Sequence, residues 1–238
     1  GYKQKTTSSS MVEIEIIPKS LSDAELIISN NFETLSDIKD SILRFSANDV
    51  NGKKVPWEVL DVNPDGTINY LTKIRLSKLQ AVYNSFNNGV INKKLFAVQG
   101  TTNYIKNISA TEDGPVFDLG VPDFDLKTLT VLQENEGSTP ITHKKVNSFI
   151  DLSEVEDGIP CYIVEKNDNG TWQIRYPWKS IVENNYMLNT HLYPKGKEIH
   201  VFFRVSSGVK GNISEGMMSY DGTAINENNK QIGFSIKN

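Results

Sequence analysis

From Leu95 onward the chain is cut into short β-forming runs, and this segmentation constrains its fold more than any other feature. The runs are "KLFAVQGTTNYIKNISAT", "PVFDLG", "LKTLTVLQE", "IPCYIVEKNDNGTWQIRYP" and "KEIHVFFRVSSG", separated by Gly, Pro, Asn and Asp. Runs of this length, rich in β-branched and aromatic residues and bounded by turn formers, read as strands. Asn167, Asp168, Asn169 and Gly170 stand between "CYIVEK" and "TWQIRY". Asn-Gly readily takes the positive φ angles of tight hairpin turns, so this stretch predicts a hairpin. "QIGFSIKN" reads as one more strand.

The first half is mixed. Residues 1–10 are polar and read as an arm, and "MVEIEIIP" alternates apolar and acidic residues as a strand ended by Pro18. "LSDAELIIS" fits helix or strand. "NNFETLSDIKDSILRFS" predicts a helix: Leu35, Ile38, Ile42 and Phe45 recur at steps of three and four, with Asn30 or Asn31 as cap. "KVPWEVLDVNPDGTINYL" predicts two strands joined at Asn63, Pro64, Asp65 and Gly66. "IRLSKLQAVYNSFNNG" predicts a second helix, with Leu76, Leu79, Val82, Tyr83 and Phe86 on one face and Gly89 as its stop. The expected class is α+β: an N-terminal mixed helix/strand region followed by a mainly antiparallel β domain. The expected division is 1–50 (arm, strand and helix), 51–107 (hairpin and helix), 108–213 (the β domain) and 214–238 (the start of a further segment).

Composition excludes several functions. The 238 residues carry a net charge of −4 with a pI near 5.5, and the basic pairs Lys53-Lys54, Lys93-Lys94 and Lys144-Lys145 are isolated. Nucleic-acid modules carry a basic balance or stripe, so no nucleic-acid partner is expected. The single cysteine, Cys161, excludes an intrachain disulfide framework and reads as a small buried strand residue. No apolar run is long enough to span a membrane, and no signal-peptide core is present, so no membrane partner is expected. The opening Gly1 fits a fragment, a processed product or the ordered part of a longer protein.

Chemical motifs are sparse. His143, His191 and His200 have no short ligand spacing, and His200 inside "EIHVFF" reads as a packed strand residue. The zincin, nucleophile-elbow, Walker and dinucleotide patterns are missing. "DVNPDGTINYLT" begins like a calcium loop, with Asp61, Asn63, Asp65, Gly66 and Ile68 at suitable offsets. Thr72 stands where a bidentate carboxylate is required, so the stretch reads as a hairpin. Asp123 and Asp125 would share one face of a strand and could form an acid–base pair, but no third group lies near them in sequence. The expectation is therefore no enzyme, no metal, no cofactor and no small-molecule substrate.

The order of the β runs carries a resemblance. "PVFDLGVPDFDLKTLTV" presents Phe117, then Asp125, Thr128, Leu129 and Val131; "CYIVEKNDNGTWQIRY" presents Tyr162, Val164, Gly170 and Tyr176. Pro194 and Gly196 precede the last strand, and Gly208, Gly211 and Asn212 follow it. In this order residues 108–213 resemble the baseplate J family. "YPWKSIVENNYMLN" departs from it where many members have a Phe-Gly-Asp-Gly turn. "FETLSDIKDSILRF" looks like the family's Glu-Ser/Thr-Leu-x-x-Ile-Lys helix but precedes the domain instead of following it. The resemblance implies a structural subunit of a contractile-tail phage baseplate wedge or a related injection machine. Its partners would be other wedge subunits and further copies of itself, in a ring around the tail hub that rearranges to trigger sheath contraction. Its place would be the virion, with assembly in the host cytoplasm. Trp172, Tyr176, Trp178 and Tyr186 are then candidate interface anchors, and equally candidate core residues. The rival readings are a receptor- or glycan-binding tail-fibre module that uses those aromatics, and a hydrolase that uses Asp123 and Asp125.

Overall fold

The computed structural model describes residues 8–29, 32–72, 95–108, 116–148, 159–176, 196–208, 220–225 and 231–237. The chain forms two compact units, each assembled from separated stretches. Unit 1 takes 1–103, 125–129 and 204–238; unit 2 takes 104–124 and 130–203.

Unit 1 is a curled antiparallel sheet. Its strands run in the order β14 (Tyr220–Ile225), β15 (Gln231–Lys237), β1 (Met11–Pro18), β5 (Leu95–Gln99), β3 (Lys54–Val62) and β2 (Leu43–Asn48), with β4 (Ile68–Asn69) paired to β3. β1 is the corner. Met11–Ile14 pair with β5, and Glu15–Pro18 pair with β15. A strand that changes partner half-way along bends its sheet, and the two end strands, β14 and β2, approach each other.

Period-two alternation turns one face of β1, β2, β3, β5 and β15 into a common interior. That interior holds Ile14 and Ile16, Leu43 and Phe45, Val55, Trp57 and Val59, Leu95 and Ala97, and Ile232, Phe234 and Ile236, with Ile27 added from helix α1 (Leu21–Ser29). Phe45 and Phe234 meet edge to face at 6.4 Å. α1 is the segment whose periodicity fits helix or strand. Its start is settled by Ser20 and Asp23: the Asp23 amide donates to Ser20 Oγ at 3.0 Å, and the Ser20 hydroxyl donates to Asp23 Oδ2. Asp23 Oδ1 also accepts the Gly233 amide at 2.6 Å, which ties the helix to β15.

Unit 2 holds the four-stranded sheet β10 (Lys144–Lys145), β11 (Cys161–Lys166), β12 (Trp172–Arg175) and β7 (Val116–Asp118), parallel at β10–β11 and antiparallel elsewhere. A second sheet has the order β6 (Thr101–Ile108), β13 (Glu198–Val205), β8 (Asp125–Gln133) and β9 (Ile141–Thr142), and its first three strands also contribute residues to unit 1. The core of unit 2 is aromatic. Phe124 meets Trp172 at 5.7 Å and Phe203 at 5.4 Å, and Tyr176 meets Phe117 at 6.0 Å and Tyr162 at 6.1 Å.

Three hairpin loops share one construction: "DVNGK" at 49–53, "NPDGT" at 63–67 and "NDNGT" at 167–171. In each, the first residue's amide donates to the fifth residue's carbonyl at 2.8–2.9 Å, and the glycine amide donates back to the first carbonyl at 2.9–3.0 Å. Gly52, Gly66 and Gly170 have φ of 78°, 82° and 78°, the left-handed position that closes a three-residue hairpin loop. Asp49 and Asn167 each use Oδ1 to accept the amides of the third and fifth residues at 2.8–3.0 Å. The Asn63 and Asn169 turns thus form as the sequence indicates, and the Asp49 turn is a third that sequence reading missed.

The α+β expectation is overturned: the protein is mostly β. Among the described residues the helices are α1 (nine residues), the 3-10 turn Leu35–Asp37 and the four-residue α2 (Ile38–Ser41), against fifteen strands. The helix predicted over "NNFETLSDIKDSILRFS" stops at Ser41. Ile42 is already extended (φ −74°, ψ 127°), and Leu43 and Phe45 enter β2 opposite Val59 and Trp57. The three- and four-residue steps that suggested one long helix are split between a short helix and a strand. The second predicted helix, 74–89, lies outside the described residues.

Candidate functional site

Two polar clusters stand out, one in each unit. In unit 1, Glu58 on β3 and Arg204 at the end of β13 are both fully buried and form an ion pair. Arg204 Nη1 also donates to Thr102 Oγ1 at 2.9 Å, and Nη2 donates to the carbonyls of Val98 and Gly100, both at 2.8 Å. Glu58 further accepts the Thr102 hydroxyl at 2.6 Å, the Thr102 amide at 3.0 Å and Arg44 Nε at 2.9 Å. Burial pushes the Glu58 carboxyl up, but Arg204, Thr102 and Arg44 outweigh it and hold the group below the ordinary carboxylate range. Gly100 completes the cluster. Its φ is +100°, and an added Cβ would lie 2.4 Å from the Val205 carbonyl oxygen. Every polar group but Arg204 Nε is satisfied inside the protein, so the cluster is a structural lock with no open coordination.

In unit 2, β13 places Glu198, His200 and Phe202 on one face, since alternate strand residues share a side. From β6 come Tyr104 and Lys106, and Glu134 follows the end of β8. The Tyr104 ring stacks on His200 (5.9 Å, 25° between planes) and meets Phe202 at 5.1 Å. The Tyr104 hydroxyl lies 2.9 Å from His200 Nδ1. On the other side of the imidazole, Nε2 faces Glu198 Oε1 at 3.0 Å and Glu134 Oε1 at 3.5 Å. Lys106 Nζ sits 2.7 Å from Glu198 Oε1 and lowers that carboxyl's pKa. Burial lowers the pKa of His200, and the two carboxylates oppose it in part.

A second histidine in unit 2 is spoken for. His143 Nε2 faces Gln133 Oε1 at 3.3 Å, and Nδ1 faces the Tyr176 hydroxyl. The proton therefore sits on Nε2, and Tyr176 donates to Nδ1. Burial pushes the His143 pKa down to about 3, so the ring is neutral at ordinary pH.

The remaining sequence candidates divide clearly. Trp172 and Tyr176 are 2% and 1% exposed; they are core residues, and neither anchors an interface or stacks on a sugar. Trp178, Tyr186, Gly211 and Asn212 lie outside the described residues. Gly208 lies three residues beyond the end of β13, with φ +57°, and its amide donates to Ser206 Oγ at 3.2 Å. Asp65 Oδ1 accepts the Thr67 amide and hydroxyl, and Asp61 Oδ2 accepts from Asn69 and Thr72, so the calcium-like stretch satisfies its own carboxylates as a hairpin. Asp125 is buried and accepts the amides of Ser9 at 2.6 Å and Lys127 at 3.1 Å, while Asp123 is exposed. Asp123 lies before β8 begins at Asp125, so the two are not alternate residues on one strand face as the sequence suggested. Cys161 is buried on β11, which pushes its thiol up to about 11. No helix among the described residues is long and apolar enough to cross a membrane.

Sequence reading missed Glu58, Arg204, Gly100 and the Glu134–Glu198–His200 set. A charged residue in the middle of the apolar run "KVPWEVL", and another in "HVFFRV", was the available signal for the first pair. No family model fits the chain, and no curated protein matches it.

Proposed function

We propose that this chain is a structural subunit of a contractile-tail baseplate wedge or a related injection machine. It would assemble with neighbouring subunits and further copies of itself around the tail hub. The observation that carries the reading is the position of the family-like residues on the fold. Phe117 is buried on β7; Asp125, Thr128, Leu129 and Val131 follow on β8; Tyr162 and Val164 lie on β11; Gly170 closes the hairpin; Tyr176 is buried just after β12. Gly196 and Gly208, with φ of 69° and 57°, then bracket β13. These positions fall on successive β-strands and their turns, which supports the reading. A wedge subunit works by holding neighbours in place, and a locked β unit such as unit 1 suits that work. Its ion pair resists local opening, because a buried charge that loses its partner is strongly penalised.

The test is co-expression of the tagged chain with the other baseplate proteins of its source particle, followed by affinity purification and electron microscopy of the intact particle. The expected result is stoichiometric co-purification and density for the chain in the baseplate ring. Location in a fibre tip, or absence from purified particles, would sink the reading.

A further inference from the structure

We propose that Glu134, Glu198 and His200 form a zinc-binding site in unit 2, with Tyr104 as the residue that orients the histidine. The ligand atoms all lie within 4.8 Å of one another. Zinc–nitrogen and zinc–oxygen bonds of about 2.0–2.2 Å put neighbouring tetrahedral ligands roughly 3.3–3.5 Å apart. The separations from His200 Nε2 are 3.0 Å to Glu198 and 3.5 Å to Glu134, so small side-chain adjustments suffice. Three protein donors leave a fourth position for water.

The second observation is the state of the histidine. Its side chain is fully buried, and Nε2 makes no well-aligned hydrogen bond, although Glu198 Oε1 lies 3.0 Å away and pairs with the ring when it is protonated. Nδ1, by contrast, has the Tyr104 hydroxyl at 2.9 Å, and the stacked Tyr104 ring fixes the imidazole plane. Metal-bound histidines typically hold their second nitrogen in this way, which sets the tautomer and aims the free lone pair. Without a metal the Nε2 proton faces the two carboxylates and the Tyr104 hydroxyl donates to Nδ1, as at His143; a metal ion would take the Nε2 lone pair in place of that proton, with Nδ1–H turned to the Tyr104 oxygen. Lys106 now supplies one positive charge to this corner. Its side chain is 47% exposed, so it can swing into solvent when a divalent ion arrives. Imidazole with carboxylates, and no thiolate, suits zinc over copper(I); the imidazole disfavours magnesium and calcium.

The test titrates the purified 238-residue chain with cobalt(II), read by its visible absorption bands, and then displaces the cobalt with zinc in a calorimeter. The expected result is one ion per chain with the intense bands of tetrahedral cobalt, competed by zinc and unaffected by millimolar magnesium. Glu134→Gln changes a half-exposed side chain and keeps the fold, as circular dichroism would verify; it weakens binding at least tenfold, as does Glu198→Gln. Tyr104→Phe weakens binding about tenfold through loss of the orienting bond. Lys106→Met tightens it, because the competing ammonium is gone. Absence of stoichiometric cobalt uptake, or uptake equal in the wild type and both Gln variants, overturns the proposal. Preferential binding of calcium or manganese overturns the zinc assignment.

Discussion

At the scale of single residues, the clearest consequences come from charges and backbone angles held inside unit 1. Glu58 and Arg204 are fully buried, so removal of one partner strands the other charge in a low-dielectric interior. Glu58→Gln is expected to destabilise the fold by about 3–5 kcal/mol in urea unfolding. The double variant Glu58→Met with Arg204→Met should cost less than the sum of the two single changes, because it leaves no orphan charge. The sign of the pH effect follows from the lowered Glu58 pKa. The unfolded carboxyl, near 4.3, binds protons at a higher pH than the folded one. Stability from this group is therefore fully present above about pH 4.3 and is lost as pH falls through the folded value. Glu58→Gln should flatten the acid limb of the stability curve. Gly100 gives a second contrast. Gly52 and Gly100 both have positive φ, but an added Cβ meets nothing within 4 Å at Gly52 and a backbone oxygen at 2.4 Å at Gly100. Gly52→Ala should cost about 1–2 kcal/mol and Gly100→Ala about 2–5 kcal/mol, measured by thermal unfolding. Equal costs at the two positions would show that the close approach to Val205 is relaxed without penalty.

At the scale of elements, the three Asx–Gly hairpins invite a local test. The side chain of Asn167 accepts two loop amides and donates to Asp118 Oδ2 at 2.9 Å and Thr171 Oγ1 at 2.7 Å. Asn167→Ala deletes these bonds and should loosen the β11–β12 hairpin by about 1–2 kcal/mol. Hydrogen exchange at the Asn169 and Thr171 amides should then speed up roughly tenfold per 1.4 kcal/mol, with the α1 amides unchanged. The hairpin at 49–53 carries the same chemistry as the other two and was overlooked; those at 63–67 and 167–171 were legible because the turn chemistry lies in four or five consecutive residues. The same holds for the strand "MVEIEIIP", whose alternation faces one core. Helix placement was less legible. α1 was ambiguous in periodicity, and its decisive signal was the Ser20–Asp23 capping pair. The predicted long helix failed because Leu43 and Phe45 satisfy both a helical step and a strand alternation, and pairing with β3 decides between them. The candidate site was not legible at all. Glu134, Glu198 and His200 meet only because β13 lies beside β8 in the sheet, and no local spacing encodes that neighbour relation. Trp172 and Tyr176 were visible as aromatics, but their burial depends on Phe124 and Phe117 brought in from distant sequence.

At the scale of the whole molecule, the order of strands matters more than any one of them. Unit 1 is not a continuous segment: its core joins β1 to β15 and places Ile232, Phe234 and Ile236 beside Ile14, Phe45 and Trp57. A chain built this way cannot complete its first unit until residues near position 236 have been made. Deletion of residues 226–238 provides the test. The lost strand carries three core side chains, each contributing roughly 1.5–3 kcal/mol when buried. It also carries the backbone bonds to β1 and the tie from Gly233 to Asp23. The combined loss, roughly 5–9 kcal/mol from the side chains alone, matches much of the 5–15 kcal/mol that holds a typical domain together. The truncated chain should therefore lose the near-ultraviolet circular dichroism of Trp57 and expose that indole to acrylamide quenching, and a peptide spanning 220–238 added in trans should restore part of the signal. A truncated chain that keeps Trp57 protected would show that β1 and β5 close the unit without β15. The role of β1 as a corner shared between two pairings would then have to be abandoned.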